Sequence, residues 1–265
     1  MRVALCQVAG SPDPDVNLKR VRDALGQAEG ASLAVFPEAT QVRFGSDLRA
    51  AAEPIDSGAF CTGLSMLAAE HKITLVAGVF EPAPDGRVYN TAVVFDGSGR
   101  LVAAYRKLHL YDALGVTESR EVAPGDTPVT VEIDGARVGL EICYDVRFPE
   151  LSRALALSGA RLITVSAAWA SGLFKEEHWV TLLRARAIEN TVWIAAAGQV
   201  PDPSAPPTRA PTGVGRSMLI DPLGVVRADL GPAPGVTVVD ADLSLVDTVR
   251  ETLPSLANRR ADVFG

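Results

Sequence analysis

Three residues that could do chemistry stand directly after apolar runs, where solvation alone would not call for them. Leu33-Ala34-Val35-Phe36-Pro37 runs into Glu38, Ala103-Ala104-Tyr105-Arg106 into Lys107, and Gly139-Leu140-Glu141-Ile142 into Cys143. If these ends converge, Glu38 can take the thiol proton and later activate water, while Cys143 attacks an acyl carbon. Lys107 and a backbone N–H, that of Tyr144, can stabilise the oxyanion that forms. Pro149 opens a helix just beyond Cys143, so the thiol would sit at a strand-to-helix turn whose helix end favours the thiolate. The bland alternatives are a small buried core cysteine and ordinary solvated charges at strand ends. A papain-like pairing of Cys143 with His109 or His178 is equally compatible with the spacing. Cys6 lies within a strand and Cys61 early in an amphipathic helix, so both read as core.

The elements that would carry these residues alternate along the chain. Val3–Val8, Leu33–Phe36 and Ile73–Phe80 read as buried strands, separated by helices over Val16–Glu29 and around Phe60–Ala68. Further on, Asp-Gly-Ser-Gly joins Thr91–Phe95 to Leu101–Tyr105, and Asp134-Gly135 joins Val129–Ile133 to Arg137–Ile142. Both are hairpin signals, so the sheets must be mixed. Pro149–Leu157 and a segment from about Glu176 to Thr191 read as helices, with Leu162–Ser166 and Val192–Ala197 as strands. Arg216–Asp221 and Val225–Asp229 form a third hairpin, and Val236–Asp240 adds a strand. Leu108–Thr127 and the proline-rich Pro201–Gly215 lack periodicity, and loops of that length are commonly functional. Pro201–Gly215 is either a lid or a surface loop. No composition shift marks a boundary, which makes residues 1–265 a single α/β domain.

Bulk properties narrow the partners. Twenty-five Lys and Arg stand against 32 Asp and Glu, a formal charge of −7, and no basic run interrupts that excess. A nucleic-acid partner is therefore not expected. The apolar runs are strand-sized, too short for a membrane span or a secretory core. Three widely spaced cysteines without a CxxC pair argue against a disulfide framework, and the three histidines have no zinc-ligand spacing with them. A reduced, cytoplasmic protein without a zinc site, acting on a small molecule, is the expectation.

Taken together, Phe36-Pro37-Glu38, Tyr105-Arg106-Lys107-Leu108-His109-Leu110 and Gly139–Glu150 resemble, in order, the glutamate, lysine and cysteine motifs of the nitrilase superfamily of carbon–nitrogen hydrolases. Thr117-Glu118-Ser119 resembles the segment with that family's second glutamate. The likeness continues through His178-Trp179 and Leu183–Asn190 to Arg259-Arg260, essentially the whole chain. It implies a four-layer α-β-β-α sandwich with two mixed β-sheets, a homodimer or larger homo-oligomer, no metal or organic cofactor, and Cys143 as nucleophile through a thioester. It also implies that Glu118 orients Lys107 and the substrate amine.

The segment Cys143–Glu150 most resembles the Nit-type amidases, among them ω-amidases and deaminated-glutathione amidases, which act on small carboxylate-bearing amides. Ammonia release from such an aliphatic amide is the expected reaction. A nitrilase, an N-carbamoyl amino acid amidohydrolase and a silent binding protein are the alternatives. Arg147 is a candidate for charge toward a substrate carboxylate, its alternative being an ion pair with Glu150. Trp169 is a candidate wall of the site, its alternative a core tryptophan. Ala39-Thr40, Ala167–Gly172 and Lys175-Glu176-Glu177-His178 depart from the usual Nit-type residues; these positions are expected to line or shape the pocket, so the substrate itself does not carry over.

Overall fold

A computed structural model describes residues 1–202, 210 and 212–264. In chain order the first half contains β1 (Arg2–Gln7), α1 (Pro14–Leu25), β2 (Leu33–Val35), α2 (Leu48–Ala51), α3 (Ala59–His71), β3 (Thr74–Pro82), β4 (Val88–Phe95) and β5 (Leu101–Arg106). The middle adds β6 (Val122–Ala123), β7 (Thr130–Ile133), β8 (Ala136–Ile142), α4 (Pro149–Leu157) and β9 (Leu162–Ala167). The rest holds α5 (Lys175–Asn190), β10 (Trp193–Gly198), β11 (Met218–Ile220), β12 (Val226–Asp229), β13 (Gly235–Asp240), α6 (Ser244–Thr252) and α7 (Ala261–Phe264).

One sheet has the order β13-β1-β2-β3-β4-β5 with β6 on β4, and the other β12-β11-β10-β9-β8-β7. Each is mixed. In the first, β1, β2 and β3 run parallel while β4 and β5 return antiparallel; in the second, β8, β9 and β10 are parallel and the outer pairs antiparallel. The two-residue period of β1 shows why the sheets stack. Val3 and Leu5 enter the core between the sheets, whereas Ala4 and Cys6 enter the core beneath α1 and α3. Helices α4 and α5 cover the far side of the second sheet against β8 and β10. The layers are therefore helices, sheet, sheet, helices, as the resemblance implied.

All three predicted hairpins form. Asp134 and Gly135 both take positive φ, 49° and 73°, which suits a two-residue turn between β7 and β8. Strand β4 begins at Val88, three residues before the predicted Thr91, because it continues in pairing with β3 down to Pro82. The short β6 and α6 were not predicted: β6 is two residues inside the aperiodic Leu108–Thr127 connection, held by its pairing with β4. Most of the proline-rich segment, over 203–209 and at 211, lies outside the described residues. Among the described residues no helix is long and apolar enough to cross a membrane.

Candidate active site

Strands β2, β8 and β9 end at the same edge of the sandwich, the usual location of sites in sheets with parallel strands. Glu38 follows β2, Cys143 follows β8 and Ala168 follows β9, while Lys107 follows the antiparallel β5. The segment holding Glu38 is pinned to both sheets. Gly78 donates to the Pro37 carbonyl, and the Ser166 hydroxyl donates across the sheets to that of Phe36. A Cβ at Gly78 would lie 2.6 Å from the Ala39 nitrogen, so only glycine lets β3 pass this close. Gly125 does the same service for Lys107: its N–H donates to the Lys107 carbonyl, and a Cβ there would meet the Arg106 carbonyl at 2.3 Å.

Three expected residues meet in a buried charge cluster. Glu38 is 1 % exposed and Lys107 2 %. Lys107 Nζ donates to Glu38 Oε1 at 2.8 Å and to both Glu118 oxygens at 3.1 and 2.9 Å. Glu38 Oε2 accepts from the Ala168 N–H at 2.8 Å, and Glu118 Oε2 from the Tyr111 N–H at 2.6 Å. Asn90 Nδ2 bridges the carboxylates, 2.8 Å from Glu38 and 3.2 Å from Glu118. Burial works against the Lys107 ammonium, but Glu118 and Glu38 outweigh it and hold its pKa well above the usual lysine range.

Cys143 opens a 3-10 turn over Cys143–Arg147 and takes φ +49°, an uncommon conformation for a residue with a side chain. Asp145, fully buried, holds that turn. Its Oδ2 accepts from the Ile142 N–H at 2.9 Å and the Tyr105 hydroxyl at 2.7 Å, and its Oδ1 from the His109 N–H at 3.0 Å. The leading N–H groups of such a turn have no acceptor within it, and among the described residues no other acceptor is found for that of Tyr144. The Cys143 thiol shares a cavity with Glu38 and Lys107. Burial and the Glu38 carboxylate raise its pKa well above the usual thiol range, and Lys107 pulls the other way without prevailing. These effects oppose the preference for the thiolate that the helix end was expected to give.

A papain-like pair is not formed. His109 Nδ1 lies 2.8 Å from Asp145 Oδ1, with its ring stacked on Phe148 at 3.8 Å, and the ring of the exposed His178 lies 3.5 Å from Arg147. Cys6 and Cys61 are buried in the core under α1 and α3.

A cavity of about 350 Å³ opens onto the cluster, its wall including Glu38, Lys107, Glu118, Cys143, Tyr144 and Trp169. Phe44, Leu48, Val116 and Val122 supply an apolar lining, and Ala210 from the proline-rich segment also contributes. Trp169 is both wall and core, since it is 2 % exposed and packs on Trp179 with ring centres 5.1 Å apart. Arg147 is not part of the described wall. Its guanidinium carbon sits 4.7 Å from the centre of the Trp169 ring, and the ion pair with Glu150 is not made. Asn90 and Tyr111 line or brace the site without having been singled out as site residues; Lys175 belonged to a segment expected to line or shape the pocket, and Asp145 to the cysteine motif, but neither had a role assigned.

The profile of the carbon-nitrogen hydrolase family matches residues 2–251. A hydrolase of Mycobacterium tuberculosis is 47 % identical over 98 % of this chain and 95 % of its own length. The deaminated glutathione amidase of Escherichia coli is 36 % identical over 98 % of this chain and 97 % of its own. The amidase of Nesterenkonia sp. AN1, of the nitrilase superfamily, superposes with a TM-score of 0.84 at 31 % identity over all of this chain and 98 % of its own. One structure of that amidase shows the result of Michael addition of acrylamide at the active-site cysteine. Matched along nearly its full length in both sequence and fold, the chain belongs to the carbon-nitrogen hydrolase family, within the nitrilase superfamily.

Proposed function

We propose that this enzyme hydrolyses a small aliphatic amide through a thioester on Cys143. The observation that supports this best is Cys143 in one cavity with Glu38 and with a Lys107 shared by two carboxylates. Sulfur attacks the carbonyl carbon as the thiol proton passes to Glu38. Lys107 engages Glu38 with one N–H and straddles Glu118 with another, leaving its third for the oxyanion, together with the Tyr144 N–H. Collapse breaks the C–N bond and the proton on Glu38 moves to the departing nitrogen, releasing ammonia. Water then attacks the thioester, Glu38 takes its proton, and the carboxylic product leaves as the thiol is restored. Glu118 orients Lys107 and receives the amine hydrogens. The 350 Å³ cavity limits the substrate to a small molecule. A cytoplasmic homo-oligomer completes the proposal, the latter checked by sedimentation velocity.

Ammonia release across succinamate, α-ketoglutaramate, deaminated glutathione, neutral aliphatic amides, a nitrile and an N-carbamoyl amino acid tests this reading. Turnover of amides that vanishes in Cys143→Ala is the expected outcome. Turnover confined to the nitrile or the carbamoyl compound would transfer the scaffold to those reactions, and no turnover of any class would favour a silent binding protein.

A further inference from the structure

The cavity wall carries a cation that the proposed thioester chemistry does not use. Lys175, the first residue of α5, is only 5 % exposed and lines the cavity together with Cys143 and Trp169. Its Nζ lies 4.4 Å from the centre of the Trp169 ring and 5.0 Å from that of Tyr111. The Trp169 Nε1–H donates to the Lys175 carbonyl at 2.8 Å, which locks the indole and the lysine backbone together. Among the described residues no carboxylate pairs with this ammonium, in contrast to Lys107, which has two.

That placement works against stability on two counts. A buried ammonium without a counter-charge is costly, and burial draws the Lys175 pKa down accordingly. The first turn of a helix is also its positive end, where a cation is disfavoured. Two aromatic faces recover part of the cost but supply no full negative charge. The missing charge is one that a ligand can bring.

The charge count of the site agrees. Glu38 and Glu118 bring two negative charges and Lys107 one positive, so the floor is net negative before substrate enters. The exposed Glu121 at the wall adds to this. An anionic substrate would be repelled without a further cation inside the cavity. Arg147, expected in that role from its position after the nucleophile, is outside the described wall, leaving Lys175.

We infer that Lys175, boxed between Trp169 and Tyr111, determines specificity by binding a carboxylate at the far end of the amide substrate. The aliphatic stem would lie along Phe44, Leu48, Val116 and Val122. This inference rests on the amide-hydrolase reading and adds to it the residue that selects an anionic substrate.

The test compares ammonia release from glutaramate with that from valeramide, a neutral amide of the same chain length, in wild type, Lys175→Met, Lys175→Arg and Lys175→Glu. Losing a hydrogen bond between two charges should lower the glutaramate-over-valeramide ratio of kcat/KM by about 10- to 100-fold in Lys175→Met. The change should sit in KM. Lys175→Arg should recover most of the ratio and Lys175→Glu invert it. Equal losses on both amides, or a ratio that does not move, would overturn the inference while leaving the amidase reading intact. Binding of glutarate, followed by calorimetry, gives a readout independent of turnover: wild type should bind it and Lys175→Met should not. Wild-type enzyme active on valeramide but indifferent to glutarate would also overturn the inference. An enzyme that turns over neither amide but binds glutarate through Lys175 would sink the amidase reading and keep the anion site.

Discussion

Glu38 binds Lys107, Asn90 and the Ala168 N–H through its carboxylate and shares the cavity wall with Cys143. Replacing it by glutamine keeps the shape and removes the base. Glu38→Gln should therefore cost about 10²- to 10⁴-fold in kcat/KM, the range for a general base; full steady-state activity would contradict its role. Asp145 acts differently, because it never reaches the cavity. Asp145→Ala would strand the Tyr105 hydroxyl and the Ile142 and His109 N–H groups, at about 1–3 kcal/mol per buried group. A fall in the urea midpoint together with lost turnover is expected; lost turnover at unchanged stability would mean that Asp145 takes part in the chemistry directly. Glu38, Lys107 and Cys143 were legible because a polar residue right after a buried strand is a local pattern. Asn90 was not, since it falls just before the strand expected from Thr91 and carries no periodic signal of its own. Lys175 was placed in a pocket-shaping segment by its departure from the family pattern, but which residue of that segment enters the cavity is not readable from sequence.

At the scale of elements, β8 carries a strain of its own besides the nucleophile. Glu141 is buried, burial raises its pKa from an ordinary 4.5 to about 8, and the Ser152 hydroxyl bonded to it opposes the rise only in part. A carboxyl raised in the folded state binds its proton more tightly there than in the unfolded chain. Its contribution is therefore fully present below about pH 4.5 and is lost as pH rises toward 8, at up to about 1.4 kcal/mol per pH unit. Glu141→Gln keeps the Ser152 acceptor and removes the titration. Denaturation of both proteins at pH 5, 6.5 and 8 should show the variant gaining on wild type as pH rises; a constant gap would mean that Glu141 is ionised in the folded protein. Hairpins and most strands were readable from their turn residues and two-residue alternation. The dipeptide β6 and the 3-10 turn bearing Glu118 were not, because elements that short have no period and exist only through their partners.

For the whole molecule, the two sheets contribute complementary halves of one site. Glu38, Lys107 and Asn90 come from the first, Cys143 and the Ala168 N–H from the second. Their relative position depends on the apolar layer between the sheets, where Leu140 is fully buried. Leu140→Ala should cost about 2–5 kcal/mol. Loss of activity and loss of near-ultraviolet circular dichroism should shift to lower temperature together, in variant and wild type alike. Activity lost well before unfolding would instead point to a site that loosens independently of the sandwich. Alternation and hairpins made two mixed sheets readable from sequence, but periodicity does not say which face of one sheet meets which face of the other. The order of the four layers came only from the family resemblance.

The most direct test of the account is to quench wild-type enzyme with acid during turnover of an accepted amide and map the acyl group by peptide mass spectrometry. An acyl mass on the peptide containing Cys143, absent in Cys143→Ala and absent from the Cys6 and Cys61 peptides, is the expected result. Ammonia release that persists in Cys143→Ala, or an acyl group carried by any other residue, would contradict it.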